Sequence, residues 1–318
     1  MGEPVTILLR EEFYREFEGR LHILAPNATF LTFRDREEML AKLPEAEGFY
    51  GASARDDILD KCVRLRWLHM SSAGVDGQLP EDLASRGIVL TKGSGAYNTP
   101  ISEHILAMML GFARNLPRFI RNQARRSWDR SGNLLQLADK TLSIYGMGSI
   151  GTELARIACA LRMKVYGMAL KPRPKPNFVE ALWTPERLDD LLRVADFLAI
   201  CCPLTEATRN RFGAREFALM KPTAYVFNIG RGGSIAQDAL IEALREGRLA
   251  GAGLDVTWPE PLPTDSPLWD MPNVIITPHV AGSSDGTERR ANEIVLENIR
   301  RFATGEALMN VVDYEHGY

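Results

Sequence analysis

The chain has 318 residues, 45% of them apolar and 25% charged, with a net charge of -3, values ordinary for a globular protein and a length that suits two domains with a cleft between them. No apolar run approaches the ~20 residues that span a bilayer, and the basic residues are scattered among acidic ones, so neither a membrane nor a nucleic acid is an expected partner. The four cysteines, Cys62, Cys159, Cys201 and Cys202, form no C-x-x-C pair or disulfide framework, and the opening "MGEPVTILLREEF" lacks a basic segment followed by an apolar stretch and a cleavage site. Reduced thiols in a cytoplasmic protein without a bound metal are expected.

From Val5 to about Gly95, apolar runs ("VTILL", "GFYGA", "LRWLHMS", "IVLTKG") alternate with charged, helix-compatible segments ("RDREEMLAKL", "PEDLASRG"), which predicts β/α units around a parallel sheet. The stretch "NTPISEHILAMMLGFARNLPRFIRNQARRSW" then predicts one long helix, with Asn98 or Thr99 as its cap and Pro100 in its first turn.

A second α/β series starts at "KTLSIYGMGSIGTELARIACALRMKVYGM", residues 140 to 168. Gly146, Gly148 and Gly151 form G-x-G-x-x-G between a strand-like run and an amphipathic helix. In that context Gly146 permits the tight turn, Gly148 lets a pyrophosphate approach the backbone, and Gly151 lets helix and strand pack closely. The following strand ends in "GMALKPRPKP". Gly167 to Leu170 supply no carboxylate for the 2′-hydroxyl of NAD(H), whereas Lys171, Arg173 and Lys175 suit a 2′-phosphate, so NADP(H) is the expected cofactor, with NAD(H) as the alternative.

Three further segments run a strand into a polar or Gly-rich turn. "VFNIGRGG" leaves Arg231 between glycines, suited either to a bidentate pair with a substrate carboxylate or to an ion pair with a structural acid. "GAGLDV" ends on Asp255, which suits either a contact with the cofactor carboxamide or a cap on the next turn. "PEPLPTDSPLWDMPNVIITPHVAG" offers His279 beyond an apolar run, with Glu260 upstream across a proline-rich turn.

Taken in order, "YGMGSIG", "CCPLTEAT", "NIGRGG", "GAGLDVTWPEPLP" and "TPHVAG" resemble the D-isomer-specific 2-hydroxyacid dehydrogenases, and among them the glyoxylate/hydroxypyruvate reductases. The resemblance implies two Rossmann-like, doubly wound domains: residues 1–97 with 286–318 as a flavodoxin-like substrate domain, and residues 98–285 as the dinucleotide-binding domain. It carries catalytic roles onto Arg231, Glu260 and His279, and a carboxylate-receiving loop onto "SSAGVD" through the amides of Ala73 and Gly74, with Arg231 and His279 also touching substrate. Its cofactor contacts map to Gly146, Gly148, Ser149, Ile150, Gly151, Pro203, Thr208, Ile229, Gly230, Asp255 and Gly282, and it implies a homodimer built on the cofactor domain. In the implied reaction, hydride reaches the carbonyl carbon of a small 2-keto acid while protonated His279, oriented by Glu260, protonates its oxygen. A phosphoglycerate-dehydrogenase-like enzyme and a dinucleotide-sensing corepressor are the alternatives that the same motifs leave open.

Overall fold

The computed structural model describes residues 3–51, 56–75 and 83–314. The chain divides into two compact units, Met1–Tyr97 with Ser284–Tyr318, and Asn98–Ser283.

The first unit is built on five strands: β1 (Val5–Arg10), β2 (Ala28–Phe33), β3 (Gly48–Tyr50), β4 (Trp67–Met70) and β5 (Val89–Lys92). All pairings are parallel and the order is β2-β1-β3-β4-β5, the 2-1-3-4-5 arrangement of flavodoxin-like sheets. Successive residues of β1 serve opposite faces, as a pleat demands. Val5, Ile7 and Leu9 meet Phe13 and Leu21 of helix Glu11–Leu24 and Val295, Leu296 and Ile299 of helix Thr287–Thr304. Leu8 points the other way, into a cluster with Met39, Phe49, Leu68 and Leu90. Both faces are therefore covered, which is why these strands read as continuous apolar runs. Gly48 makes room for the indole of Trp67, since a Cβ there would sit 2.9 Å from the ring.

The second unit carries β6 (Thr141–Tyr145), β7 (Lys164–Met168), β8 (Ala181–Trp183), β9 (Phe197–Ile200), β10 (Tyr225–Asn228), β11 (Gly251–Leu254) and β12 (Val274–Ile276). The order is β12-β11-β10-β9-β6-β7-β8, parallel throughout. Numbered from β6, this is the 3-2-1-4-5-6 dinucleotide-binding order with one added strand, and it reverses between β6 and β9. One face of the sheet packs on helices Leu188–Val194, Ala214–Leu219 and Gln237–Arg245 through Leu192, Leu198, Phe217, Val226 and Leu240.

The long helix expected from Asn98 onward is two helices, Asn98–Ala113 and Leu116–Ala124. Asn115 breaks it by adopting a left-handed φ of +57°, and Pro117 in the first turn of the second helix suits a fresh start. Asn98 is itself the first residue of the helix, and its buried Oδ1 has no hydrogen-bond partner. The four cysteines are free thiols, and among the described residues no helix is long and apolar enough to cross a membrane.

Candidate active site

The chemistry-bearing residues of the second unit lie on the turns that leave the C-terminal ends of its strands. Between β6 and helix Ser149–Ala160, Gly146 has a φ of +104°, and a Cβ there would lie 2.8 Å from backbone atoms of Cys201 and Cys202. The turn passes the end of β9 at backbone contact, with a conformation and clearance that glycine alone provides. A Cβ at Gly151 would lie 2.3 Å from the Gly146 carbonyl, so helix and turn are closed on each other. Gly148 is the opposite case, because a Cβ there would meet nothing within 4 Å. Thr152 N–H donates to the Gly148 carbonyl at 2.9 Å, and the amides of Ser149 and Ile150 precede it at the helix end, where no intrahelical acceptor exists. Open space before free amides and the positive end of a helix fits a dinucleotide pyrophosphate.

The same turn is pinned to β7, whose last carbonyl, on Met168, accepts from the amides of Gly146 at 3.2 Å and Met147 at 2.8 Å. The Met147 side chain lies over Gly167, where a Cβ would sit 2.4 Å from its Cγ. Of the three cations beyond β7, Arg173 reaches the glycine turn and donates from its guanidinium to the Met147 carbonyl. Lys175 instead turns back to the Val179 carbonyl at 2.6 Å, and Lys171 is exposed. After β9, Thr208 folds the Pro203 segment into a tight turn, donating to the Pro203 carbonyl at 2.8 Å and accepting from the Thr205 amide at 2.7 Å.

Arg231 is held by a turn whose hub is Asn228, fully buried at the end of β10. Asn228 accepts from the Gly230 amide at 3.1 Å and donates to the Arg231 carbonyl at 2.9 Å, and Ser234 donates to that carbonyl at 2.7 Å. The Arg231 guanidinium donates to the Gly230 carbonyl at 2.7 Å. Gly230 passes against the turn that follows β9, where a Cβ would lie 2.5 Å from the Cys202 carbonyl oxygen, and a Cβ at Gly232 would fall 1.8 Å from the Thr257 carbonyl. The Arg231 turn and the segment leading to Glu260 thus touch backbone to backbone.

Glu260 and His279 are paired, with His279 Nδ1 2.9 Å from Glu260 Oε2. The other carboxylate oxygen of Glu260 accepts from the Thr257 amide at 3.1 Å. His279 adopts a φ of +54°, unusual for a side chain with a Cβ, and its amide donates to the Asp255 carbonyl at 2.8 Å. The Asp255 carboxylate, 2% exposed, accepts from Thr277 Oγ1 at 2.6 Å and from the amides of Val280 and Ala281 at 3.0 Å each. It caps the turn that carries His279, the second of the two roles that its place at a strand end suggests. His104, from helix Asn98–Ala113, stands 2.9 Å from Thr277 Oγ1.

A model of the D-isomer specific 2-hydroxyacid dehydrogenase family, NAD binding domain, matches residues 106–281. The chain belongs to this family. It is 32% identical to glyoxylate/hydroxypyruvate reductase B of Yersinia pestis, over 97% of each chain. It is 34% identical to D-3-phosphoglycerate dehydrogenase of Methanocaldococcus jannaschii over 90% of this chain, but spans only 55% of that protein. Among solved structures, the NADPH-dependent glyoxylate/hydroxypyruvate reductase of Sinorhizobium meliloti, in complex with NADP and sulfate, superposes with a TM-score of 0.81 at 30% identity, over 99% of this chain and 100% of that one.

In this 2-hydroxyacid dehydrogenase, Arg231, Glu260, His279, Asp255 and the glycine turn all belong to the second unit, whereas Ala73 and Gly74 belong to the first. There Ser72 Oγ donates to the Gly74 carbonyl at 2.8 Å and the Gly93 amide to the Ser72 carbonyl at 3.0 Å. Asn228, Gly232, Thr277 and His104 escaped the sequence reading. For Asn228 a signal existed, since an Asn directly before a Gly-rich turn suits an Asx-type cap, but nothing local marks His104 or Thr277. No group of three or more His, Cys, Asp or Glu is placed to hold a metal among the described residues.

Because a Cβ at Gly232 must displace the Thr257 backbone, Gly232→Ala is expected to lower stability by about 1 to 3 kcal/mol. It should also lower kcat/KM by roughly a hundredfold through misplacement of Arg231 and Glu260. Thermal unfolding and steady-state kinetics check both, and a variant with unchanged Tm and kcat/KM would show that the two turns are not rigidly coupled.

Proposed function

We propose that this protein reduces a small 2-keto acid to the D-2-hydroxy acid with NADPH, as a glyoxylate/hydroxypyruvate reductase in its general chemistry. The observation that carries the reading is the 2.9 Å pair between His279 and Glu260, set on strand-end turns of the same unit that forms the dinucleotide cradle. When bound, the cofactor supplies the hydride. Glu260, itself fixed by the Thr257 amide, holds the imidazole by Nδ1 and leaves Nε2 to deliver the proton to the keto oxygen, and in the reverse direction to accept it. Arg231 neutralises the substrate carboxylate and draws electron density toward the keto oxygen. To the first unit this reading assigns, through the amides of Ala73 and Gly74, a share in binding the substrate carboxylate. The free thiols support a reducing, cytoplasmic setting.

His279→Ala is expected to lower kcat for glyoxylate and hydroxypyruvate by ~10² to 10⁴ while NADPH binding, followed by fluorescence titration, stays within about twofold, since the cradle is untouched. Arg231→Lys should also impair turnover, because an ammonium cannot reproduce the planar fork. Retention of more than half the activity in the histidine variant removes His279 from the proton path.

The cofactor choice rests on the missing carboxylate after β7 and on Arg173 lying against the glycine turn. One charge-assisted hydrogen bond to a 2′-phosphate is worth ~1.5 to 3 kcal/mol, and ~1.4 kcal/mol is a tenfold change. Replacing Lys171 and Arg173 together by Ala should therefore raise KM for NADPH by roughly tenfold or more and leave KM for NADH nearly unchanged. A wild-type enzyme that uses the two cofactors equally well overturns the assignment.

A homodimer through the cofactor domain is part of the same reading. Helix Leu116–Ala124 buries none of its residues, although it carries Leu116 and Ile120, and the nearby Trp128 is 90% exposed. Such an apolar surface on one folded unit suits a self-complementary contact. Ile120→Glu with Trp128→Glu is expected to shift the mass measured by light scattering from dimer to monomer with unchanged circular dichroism, and a monomeric wild type removes the proposal.

A further inference from the structure

The first unit holds a cavity of about 440 Å³ that the reading above leaves unused. It opens at the C-terminal ends of β1, β3 and β4, where Arg10, Tyr50 and Ser71 reach it from the strand ends. In a sheet ordered β2-β1-β3-β4-β5, the chain leaves β1 toward one edge and resumes at β3 on the other side, and ligands of doubly wound sheets bind outside the strand ends at that reversal. The volume lies within the ~300 to 1,000 Å³ of small-molecule pockets and far exceeds what a two- or three-carbon acid fills.

Three kinds of group line it. Glu12 and Glu16 from helix Glu11–Leu24 and Glu288 from helix Thr287–Thr304 supply carboxylates. No salt bridge joins any of the three to a cation among the described residues. The rings of Phe13 and Tyr50, in edge-on contact with centroids 4.9 Å apart, supply π-faces. Buried polar groups complete the wall: Asn292, 8% exposed, and His69, 1% exposed. The Nε2 of His69 has no hydrogen-bond partner, while its Nδ1 lies 2.8 Å from Thr91 Oγ1. Burial lowers the His69 pKa to about 4, so the ring is neutral and adds no positive charge. The one cation in the lining, Arg10, is held against the wall: its Nε donates to the carbonyl of Gly51, another lining residue, at 2.8 Å, and its guanidinium lies over the Phe33 ring, so the three carboxylates outnumber it. Carboxylates and aromatic faces together suit an organic cation, and they repel a second carboxylate or a phosphate.

Ser71 and Ser72 line the cavity and lead directly into Ala73 and Gly74. We propose that the cavity receives the ammonium or guanidinium end of a 2-keto acid whose carboxylate is held at Ala73 and Gly74, a step that rests on the role given to those amides above. The preferred substrate class is then a 2-keto acid with a basic tail, held at one end by backbone amides and at the other by Glu12, Glu16 and Glu288. An uncharged tail of equal length gains only the ring contacts, and an acidic tail is excluded.

The test measures kcat/KM of the full-length protein with NADPH for 5-guanidino-2-oxopentanoate, 2-oxoheptanoate and 2-oxoadipate, with glyoxylate as the reference that needs no tail. The guanidino acid should exceed the neutral acid by roughly tenfold, the order expected when several weak exposed pairs add together, and 2-oxoadipate should be the poorest of the three. The double substitution Glu16→Gln with Glu288→Gln should bring the guanidino and neutral acids to near parity without changing the value for glyoxylate. If glyoxylate is reduced but the neutral acid equals the guanidino acid in wild type, or if the double substitution leaves their ratio unchanged, the cavity does not select cations, and the reductase reading stands. If no keto acid is reduced, the reductase reading fails, and calorimetric titration with arginine decides the cavity by itself. Binding weakened roughly tenfold by the double substitution supports it, and absent or unaltered binding overturns it.

Discussion

The buried carboxylate of Asp255 is the constraint on which the geometry around His279 depends. A charge with 2% exposure is tolerated only when its oxygens are satisfied, and here Thr277, Val280 and Ala281 do so from within a single turn. Those three donors flank His279 in sequence. Satisfying the carboxylate therefore shapes the turn, holds the backbone of His279 in a left-handed conformation, and directs the imidazole to Glu260. Strain at one backbone position is stored where the surrounding hydrogen bonds determine it.

Glycines place the remaining parts by what they leave out. Gly146, Gly151, Gly230 and Gly232 each stand where a Cβ would strike a neighbouring carbonyl or backbone atom, so the turns leaving β6 and β10 both approach the turn leaving β9, and that of β10 also approaches that of β11, more closely than side chains permit. Gly148 by contrast faces open space, and that space lies before the amides of a helix start. Close backbone packing on one side and vacant volume on the other are two sides of one design: the strand ends are drawn together so that a ligand, not a side chain, occupies the gap.

The first unit uses a different economy. Its sheet is covered on both faces by apolar side chains, and its polar groups collect at the strand ends, around a cavity whose charges are mostly of one sign. Under the proposed function, the turn next to that cavity, with Ala73 and Gly74, offers an anion backbone amides instead of a cation. An acid group and a basic group of one ligand would therefore meet complementary partners within a single unit.

Much was legible in the amino-acid order because it depends on local pattern. The apolar runs, the G-x-G-x-x-G turn between a strand and a helix, the absence of an acid after β7 and the strand-end positions of Arg231 and His279 all follow from periodicity and neighbouring residue type. The break at Asn115 was not legible, since the apolar recurrence continues across it and only the conformation of one residue interrupts the helix. The contacts of Asp255 with Thr277, Val280 and Ala281, of His104 with Thr277, of Gly232 with Thr257, and the cavity that joins residues 10 to 16 with residues 288 and 292 were decided by tertiary structure. They bring together residues 22 to more than 270 positions apart. Such pairings leave no periodic trace in either segment, because each partner is chosen by where the sheet order sets its strand and by which polar atoms burial obliges to find one another.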